Sequence, residues 1–197
     1  MTIGGHASVM FPTAAPLASR LGPFVTPVAS AGETLPPTPL DAVLHLTLTA
    51  WQILGTVERA VELAVEHVNG RVQFGQPIAA FQAVQFQLAD AAVAVDGLRE
   101  LCRYTLWRVL DAPPHATLAD ALAARLAALD AARLVLRTTQ QLHGAAGVCD
   151  EYDISVLCRH VQPALRLPFG AERTAAELAD AIDATGFESL FVHGGRR

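Results

Sequence analysis

After Pro37 the hydrophobic positions recur at helical spacing almost without interruption, and no alternating strand pattern of any length appears. Thr38-Pro39-Leu40-Asp41 opens the first helix, with a hydroxyl at the cap, proline at the first helical position and an acid at the third. This helix is predicted to run to about Val68. From Ala42 to Leu54 it is apolar on nearly every side, as a buried helix is, while Glu58, Glu62 and Glu66 keep one face of its far half wet. Gly70 and Gly75 break the pattern and Pro77 restarts the chain. Val84, Leu88, Ala91, Val95, Leu98, Cys102, Thr105 and Val109 then follow at alternating steps of four and three, the seam of an antiparallel bundle, predicting a helix over about Phe81 to Asp111. Pro113-Pro114 ends it. Thr117 with Asp120 reads as the start of a third, alanine-rich helix reaching His143. Asp150 with Asp153 reads as the start of a shorter helix to about Pro163, and Thr174 with Glu177 as the start of a last one to about Ala184. The expectation is an all-α, up-and-down helical bundle over residues 38–186.

The flanks differ in kind. Residues 1–37 carry only Arg20 and Glu33 as charges and are rich in Pro, Gly, Ala and Val, so they read as an irregular arm or the remnant of a β-domain. An apolar arm seldom stays free in water, and this one is expected to lie on the bundle or on a partner chain. Residues 187–197 read as a tail. Pro12, Pro16, Pro23 and Pro27 interrupt anything resembling a signal peptide, and no unbroken run of about eighteen apolar residues predicts a membrane span.

Composition narrows the chemistry. With 197 residues, 52% hydrophobic and 17% charged, the chain is long enough for one real core. A net charge of −5 with no basic run argues against a nucleic-acid partner. All fourteen basic residues are arginine, which excludes a Schiff-base lysine and a P-loop. Cys102, Cys149 and Cys158 form no zinc-binding spacing, no metal is expected, and they read as reduced thiols of a cytoplasmic protein.

The densest cluster of chemistry runs from Arg71 to Asp90. Arg71, Gln73, Phe74, Gln76, Gln82 and Gln85 surround one aromatic ring at the mouth of a helix pair, a suitable place to hold a phosphate and a flat ring. The plainer alternative is a polar turn between helices with Phe74 as its hydrophobic plug. The pattern R-x-x-F-G-x-P-I-x-x-F-Q-x-x-Q-x-x-L-A-D resembles the signature of the C-terminal helical domain of acyl-CoA dehydrogenases, flavoenzymes that desaturate acyl-CoA thioesters between the α and β carbons. Gln141-Leu142-His143-Gly144-Ala145-Ala146-Gly147 resembles that family's Q-x-x-G-G-x-G, Glu151-Tyr152 its following E-Y, and Arg159 the arginine of its R-D. The similarity covers roughly Asp41 to Gly170.

The resemblance implies that Arg71, Phe74, Gln82 and Gln141, with the turn at Gly144 and Gly147, hold the adenosine and pyrophosphate of an FAD belonging to a neighbouring subunit. It also implies a homo-oligomer, or a heteromer with a larger acyl-CoA dehydrogenase chain carrying the missing domains, acting on acyl-CoA. Departures are Ala145 for the second glycine, and His160 with Gln162 for the Asp and Arg of R-D-x-R. The catalytic carboxylate of most members falls on Phe169, which cannot accept a proton. Two substitutes are Glu172, two residues past Gly170, and His45, which aligns with the base position of a minority of the family on the first helix, although Leu46 replaces the arginine that usually follows. A histidine between Leu44 and Leu46 also reads as a core residue with one satisfied nitrogen. Three functions follow from the sequence: a subunit lending part of an FAD site to a fuller chain, a scaffold that has lost FAD, and a flavin-free enzyme using His45 on a thioester.

Overall fold

The computed structural model describes residues 38–185, so the arm over 1–37 and the tail lie outside the described residues. Six helices dominate: α1 (Pro39–Gly70), α2 (Gln82–Asp111), α3 (Pro114–His143), α4 (Asp153–His160), α5 (Gln162–Arg166) and α6 (Ala171–Thr185). Between α1 and α2 stand β1 (Val72–Gln73) and β2 (Gln76–Pro77), a hairpin too short to show as alternation in the sequence, and a 3-10 turn at Ile78–Ala80. A second 3-10 turn, Gly144–Val148, follows α3.

α1 starts as its sequence dictates. The Thr38 hydroxyl accepts the Asp41 N–H at 3.3 Å, and the Asp41 carboxylate accepts the Thr38 N–H at 2.7 Å. These bonds hold the Asp41 carboxyl below its ordinary pKa. By length and composition α1 would span a bilayer, yet its apolar face is the bundle's core. Val43, Ala50, Ile53, Val57, Ala60, Ala64 and Val68 are fully buried.

α1 and α3 run parallel. Val43 and Leu46 pack with Ala121 and Leu122 near their starts, and the His67 and His143 rings stack near their ends. Alanine makes this contact close: Ala121, Ala124, Ala128 and Ala132 of α3 have no exposed surface. α2 returns antiparallel against both, tied to α1 by Arg99 Nε donating to Glu58 at 2.9 Å. Its predicted seam is buried at Ala91, Val95, Leu98, Cys102 and Thr105, while Val84, Leu88 and Val109 at the helix ends are only half-buried. α4 and α5 close one side of the core with Ile154, Cys158, Val161 and Ala164.

Several predicted helix starts move. α3 begins at Pro114, whose ring is preset for the first helical position, and Thr117 donates its hydroxyl to Pro114 O at 3.1 Å inside the first turn. Asp120 does not cap, because Arg108 Nε of α2 draws it inward at 3.0 Å. Burial then raises the Asp120 pKa against the lowering pull of Arg108. α6 likewise begins at Ala171, with the Thr174 hydroxyl donating to Gly170 O at 2.8 Å. The segment predicted as one helix from Asp150 to Pro163 is two: Asp150 stays outside, paired with Arg159, and Pro163 sits in the first turn of α5.

Because the alanine face of α3 is filled to contact, Ala128→Leu is expected to destabilise the bundle by about 1–3 kcal/mol. Thermal unfolding followed by circular dichroism checks this, and an unchanged midpoint would show the face to be loosely packed.

Candidate functional site

The sequence-predicted residues divide between the two ends of the α1–α3 pair. His45 and His67 are twenty-two residues apart on one helix, which at about 1.5 Å per residue separates the two ends by roughly 33 Å.

At the far end α1 stops at Arg71, whose backbone turns extended while its N–H still donates to His67 O at 2.9 Å and its carbonyl accepts the Ile78 N–H at 2.8 Å. The hairpin pairs Val72 with Pro77 and Gln73 with Gln76, leaving Phe74 and Gly75 as a two-residue turn with φ of 53° and 79°. Both angles are left-handed, as a type I′ turn requires, and for phenylalanine this conformation carries strain. The turn aims Phe74 away from the bundle, 93% exposed, with only an edge contact to Phe81 at 6.2 Å between ring centres. Phe74 is therefore no plug, which corrects the plainer reading of this stretch. Gln85 is spent on the turn, donating to Ala79 O at 3.0 Å, whereas Arg71, Gln82 and Gln141 present exposed side chains.

The glycine turn has two different reasons for its glycines. Gly144, which caps α3, has φ 58° and ψ −133°, a conformation closed to side-chain-bearing residues. Gly147 is needed for space, since a Cβ there would lie 2.5 Å from Gln140 O. Gln140 in return donates its amide to Gly147 O at 3.2 Å, folding the turn back on α3. Beneath it His143 is buried, with Nδ1 2.7 Å from Thr139 O, and its ring stacks on His67 with centres 4.4 Å apart. That stack ties the helix carrying Arg71 to the helix carrying Gly144. Arg71 and the two glycines thus come to one end, with Gln82 beside them at the head of α2.

At the near end the two candidate base positions converge. Phe169 is buried against Val43, Leu46, Ala121 and Leu122, and His45 lies between the first two of these on α1. Glu172 is exposed on α6 and takes no part. The sequence reading missed Arg125, which has no exposed surface and donates Nη2 to Leu167 O at 2.9 Å and Phe169 O at 3.2 Å. Its Nε and Nη1 have no partner. Burial pushes its pKa down to about 10. The signal was present: Arg125 occupies a core-phase position between Ala121 and Leu129 in an otherwise apolar run. Burial, and secondarily the Arg125 charge, lower the His45 pKa, so its imidazole is neutral near pH 7 and able to accept a proton. A second guanidinium, Arg173, lies over the Phe169 ring at 5.4 Å. Between the ends, an open groove of about 230 Å³ lined by Leu129, Leu136, Gln162 and Leu165 holds none of the predicted residues. No cluster of three metal-ligating side chains occurs among the described residues.

The profile of the acyl-CoA dehydrogenase C-terminal domain matches residues 47–178. The chain belongs to the acyl-CoA dehydrogenase family. Among curated relatives it is 33% identical over 135 residues to acyl-CoA dehydrogenase IpdE2 of Mycobacterium tuberculosis, covering 68% of this chain and 40% of that protein. It is 34% identical over 146 residues to the short-chain-specific acyl-CoA dehydrogenase of Megasphaera elsdenii, covering 74% and 34%. The fold matches the butyryl-CoA dehydrogenase of Megasphaera elsdenii with a TM-score of 0.68 at 27% identity over 73% of this chain and 37% of that one. It also matches a chain of the ChsE4-ChsE5 complex of Mycobacterium tuberculosis with a TM-score of 0.66 at 27% identity, covering 72% and 38%. The chain thus spans 40% or less of the length of these relatives and corresponds to their C-terminal helical part.

Gly147→Ala is expected to force the turn off α3 and destabilise the protein by about 1–3 kcal/mol. The matching change at Gly144 should cost through backbone conformation alone, since nothing lies within 4 Å of its added Cβ. Urea denaturation of both variants measures the difference, and a neutral Gly147→Ala would contradict the close approach to Gln140.

Proposed function

We propose that this chain is an acyl-CoA dehydrogenase-type subunit that lends its hairpin and glycine turn to an FAD bound mainly by a fuller partner chain, in α,β-desaturation of an acyl-CoA thioester. One observation carries the reading. Phe74 is held 93% exposed on a strained turn beside the uncompensated Arg71, an arrangement with no value to the isolated bundle. A flat ring stacking on Phe74, with its phosphates on Arg71, would give both features a purpose. Gln82 and Gln141 supply neutral donors and acceptors at the same end, and the donors present suit an adenosine diphosphate moiety docking from outside.

When bound, FAD supplies the hydride acceptor for the hydrogen leaving the β carbon. This chain's part is to hold the adenosine end with Arg71 as charge partner. Removal of the α-proton falls to the partner, because position 169 carries no acid here and the groups around it are guanidinium cations. Complexes of two different chains exist among the structural relatives, as the ChsE4-ChsE5 name states. That lends support to a heteromer, and a homo-oligomer is the other assembly compatible with the same surface.

On this reading the purified chain alone carries no stoichiometric flavin. In the heteromer Arg71→Ala should loosen FAD about tenfold or more, as loss of a charge-assisted contact does, and leave assembly intact. Flavin absorbance combined with sedimentation velocity checks both parts. If the heteromer's flavin content ignores Arg71→Ala, a scaffold that has lost the cofactor is the better account. That second reading draws on the near end, where Arg125 and Phe169 leave no carboxylate for thioester chemistry.

His45 decides whether the chain has a base of its own. His45→Ala is expected to leave turnover of the complex within about twofold and to lower stability by roughly 1–3 kcal/mol, the behaviour of a half-buried packing residue. A loss of turnover of about a hundredfold or more in a fully folded variant would instead make His45 the base.

A further inference from the structure

We propose that His67, stacked on His143, is a further cation of the anion site at the far end: His67 takes up a proton when a pyrophosphate diester docks on Arg71 and the Gly144 turn, so docking tightens as pH falls. This rests on the shared-cofactor reading above and adds proton linkage to it.

The geometry isolates His67. It lies one helical turn before Arg71, hence on the same face of α1. Its ring is half-buried against His143, 28° from parallel, and neither of its nitrogens is hydrogen-bonded within the described residues. A carbonyl only accepts, so His143 donates from Nδ1 to Thr139 O and leaves Nε2 bare in the neutral form.

The charges that act directly on His67 are cationic. Arg71 faces His67 from its own helix end and His143 from α3. The hairpin, the Ile78–Ala80 turn and the Gly144–Val148 turn contain no titratable side chain. From α4, Asp153 faces Arg59, and Arg159 is paired with Asp150. The nearby carboxylates of α1, Glu62 and Glu66, are engaged by Arg59. Burial first, then His143 and Arg71, hold the His67 pKa below its ordinary value, so the ring is neutral in the free chain near pH 7. A docked pyrophosphate reverses the field. Its charge stabilises the imidazolium, and by reciprocity a proton on His67 stabilises the docked ligand.

The test is an NMR titration of the histidine ring signals in the full chain, alone and with FAD at millimolar concentration. FAD is suitable because its pyrophosphate diester keeps a fixed charge from roughly pH 5 to pH 9, so any pH dependence there comes from the protein. The expected result is a His67 titration displaced to higher pH by FAD, with affinity rising about three- to tenfold between about pH 8 and about pH 6. His67→Phe keeps a stacked ring without a proton site, and its affinity should be flat over that range. If FAD perturbs the signals of Arg71 and Gly144 while the His67 titration stays in place, the proton linkage is overturned and the shared site stands. If FAD perturbs nothing at any pH, the proton linkage is overturned, and the shared site is judged separately by the flavin content of the Arg71→Ala heteromer.

Discussion

The parallel packing of α1 on α3 is the constraint from which both ends of the molecule follow. Two helices can lie this close only where side chains are small, and α3 meets the requirement with fully buried alanines at 121, 124, 128 and 132 while α1 adds Ala50, Ala60 and Ala64. Larger residues then fill the space to either side, from Ile53 and Leu54 to Leu98 and Val135. Because the pair is parallel, the C-terminal ends coincide, bringing the hairpin and the glycine turn together. The N-terminal ends coincide as well, bringing His45 to Phe169. The pair therefore carries a cluster of candidate residues at each of its two ends.

The two tips have opposite electrostatic logic. At the far end the cation Arg71 is exposed, where water and an arriving anion both reach it at little cost. At the near end Arg125 is sealed in, and burying a guanidinium with two unpartnered nitrogens is expensive unless it organises something. What it organises is the Leu167–Phe169 backbone, through two carbonyls. A carboxylate at position 169 would be taken out of water among Val43, Leu46, Ala121 and Leu122, which raises its pKa, with the Arg173 guanidinium pulling the other way. Phenylalanine at 169 suits that apolar cluster, and Arg125 fixes the backbone that presents it.

What was legible in the sequence, and what was not, divides by the range of the interaction. The long helices were readable because periodicity and the Thr38–Asp41 cap are local. The family was readable because the motif around Phe74 and the Gly144 turn is contiguous. The start of α3 was misread because Thr117 and Asp120 have the spacing of a cap, and only Arg108, twelve residues before Asp120 on another helix, reveals that the carboxylate is committed inward. Arg125 escaped for the same reason: its partners lie more than forty residues downstream. The exposure of Phe74 was likewise hidden, since R-x-x-F-G does not say that both turn residues adopt left-handed angles, and on that the direction of the ring depends.

The hairpin's exposed ring also bears on how a partner would sit. Gln82, Phe86, Ala89 and Val93 follow one another on a single face of α2, with Phe86 60% and Val93 72% exposed, and Val72 on the adjoining hairpin is 56% exposed. Large apolar side chains exposed to this degree gain about 25 cal/mol per Å² when a partner covers them, before the costs of association are subtracted. Gln82 stands at the head of that face and Phe74 projects beside it. A chain seated on the face would be brought against the same end that carries Arg71 and the Gly144 turn. Assembly and cofactor capture would then use one continuous surface: a substitution of Phe86 or Val93, which touches no cofactor group, would weaken flavin binding by weakening assembly, whereas one at Arg71 would act on flavin alone.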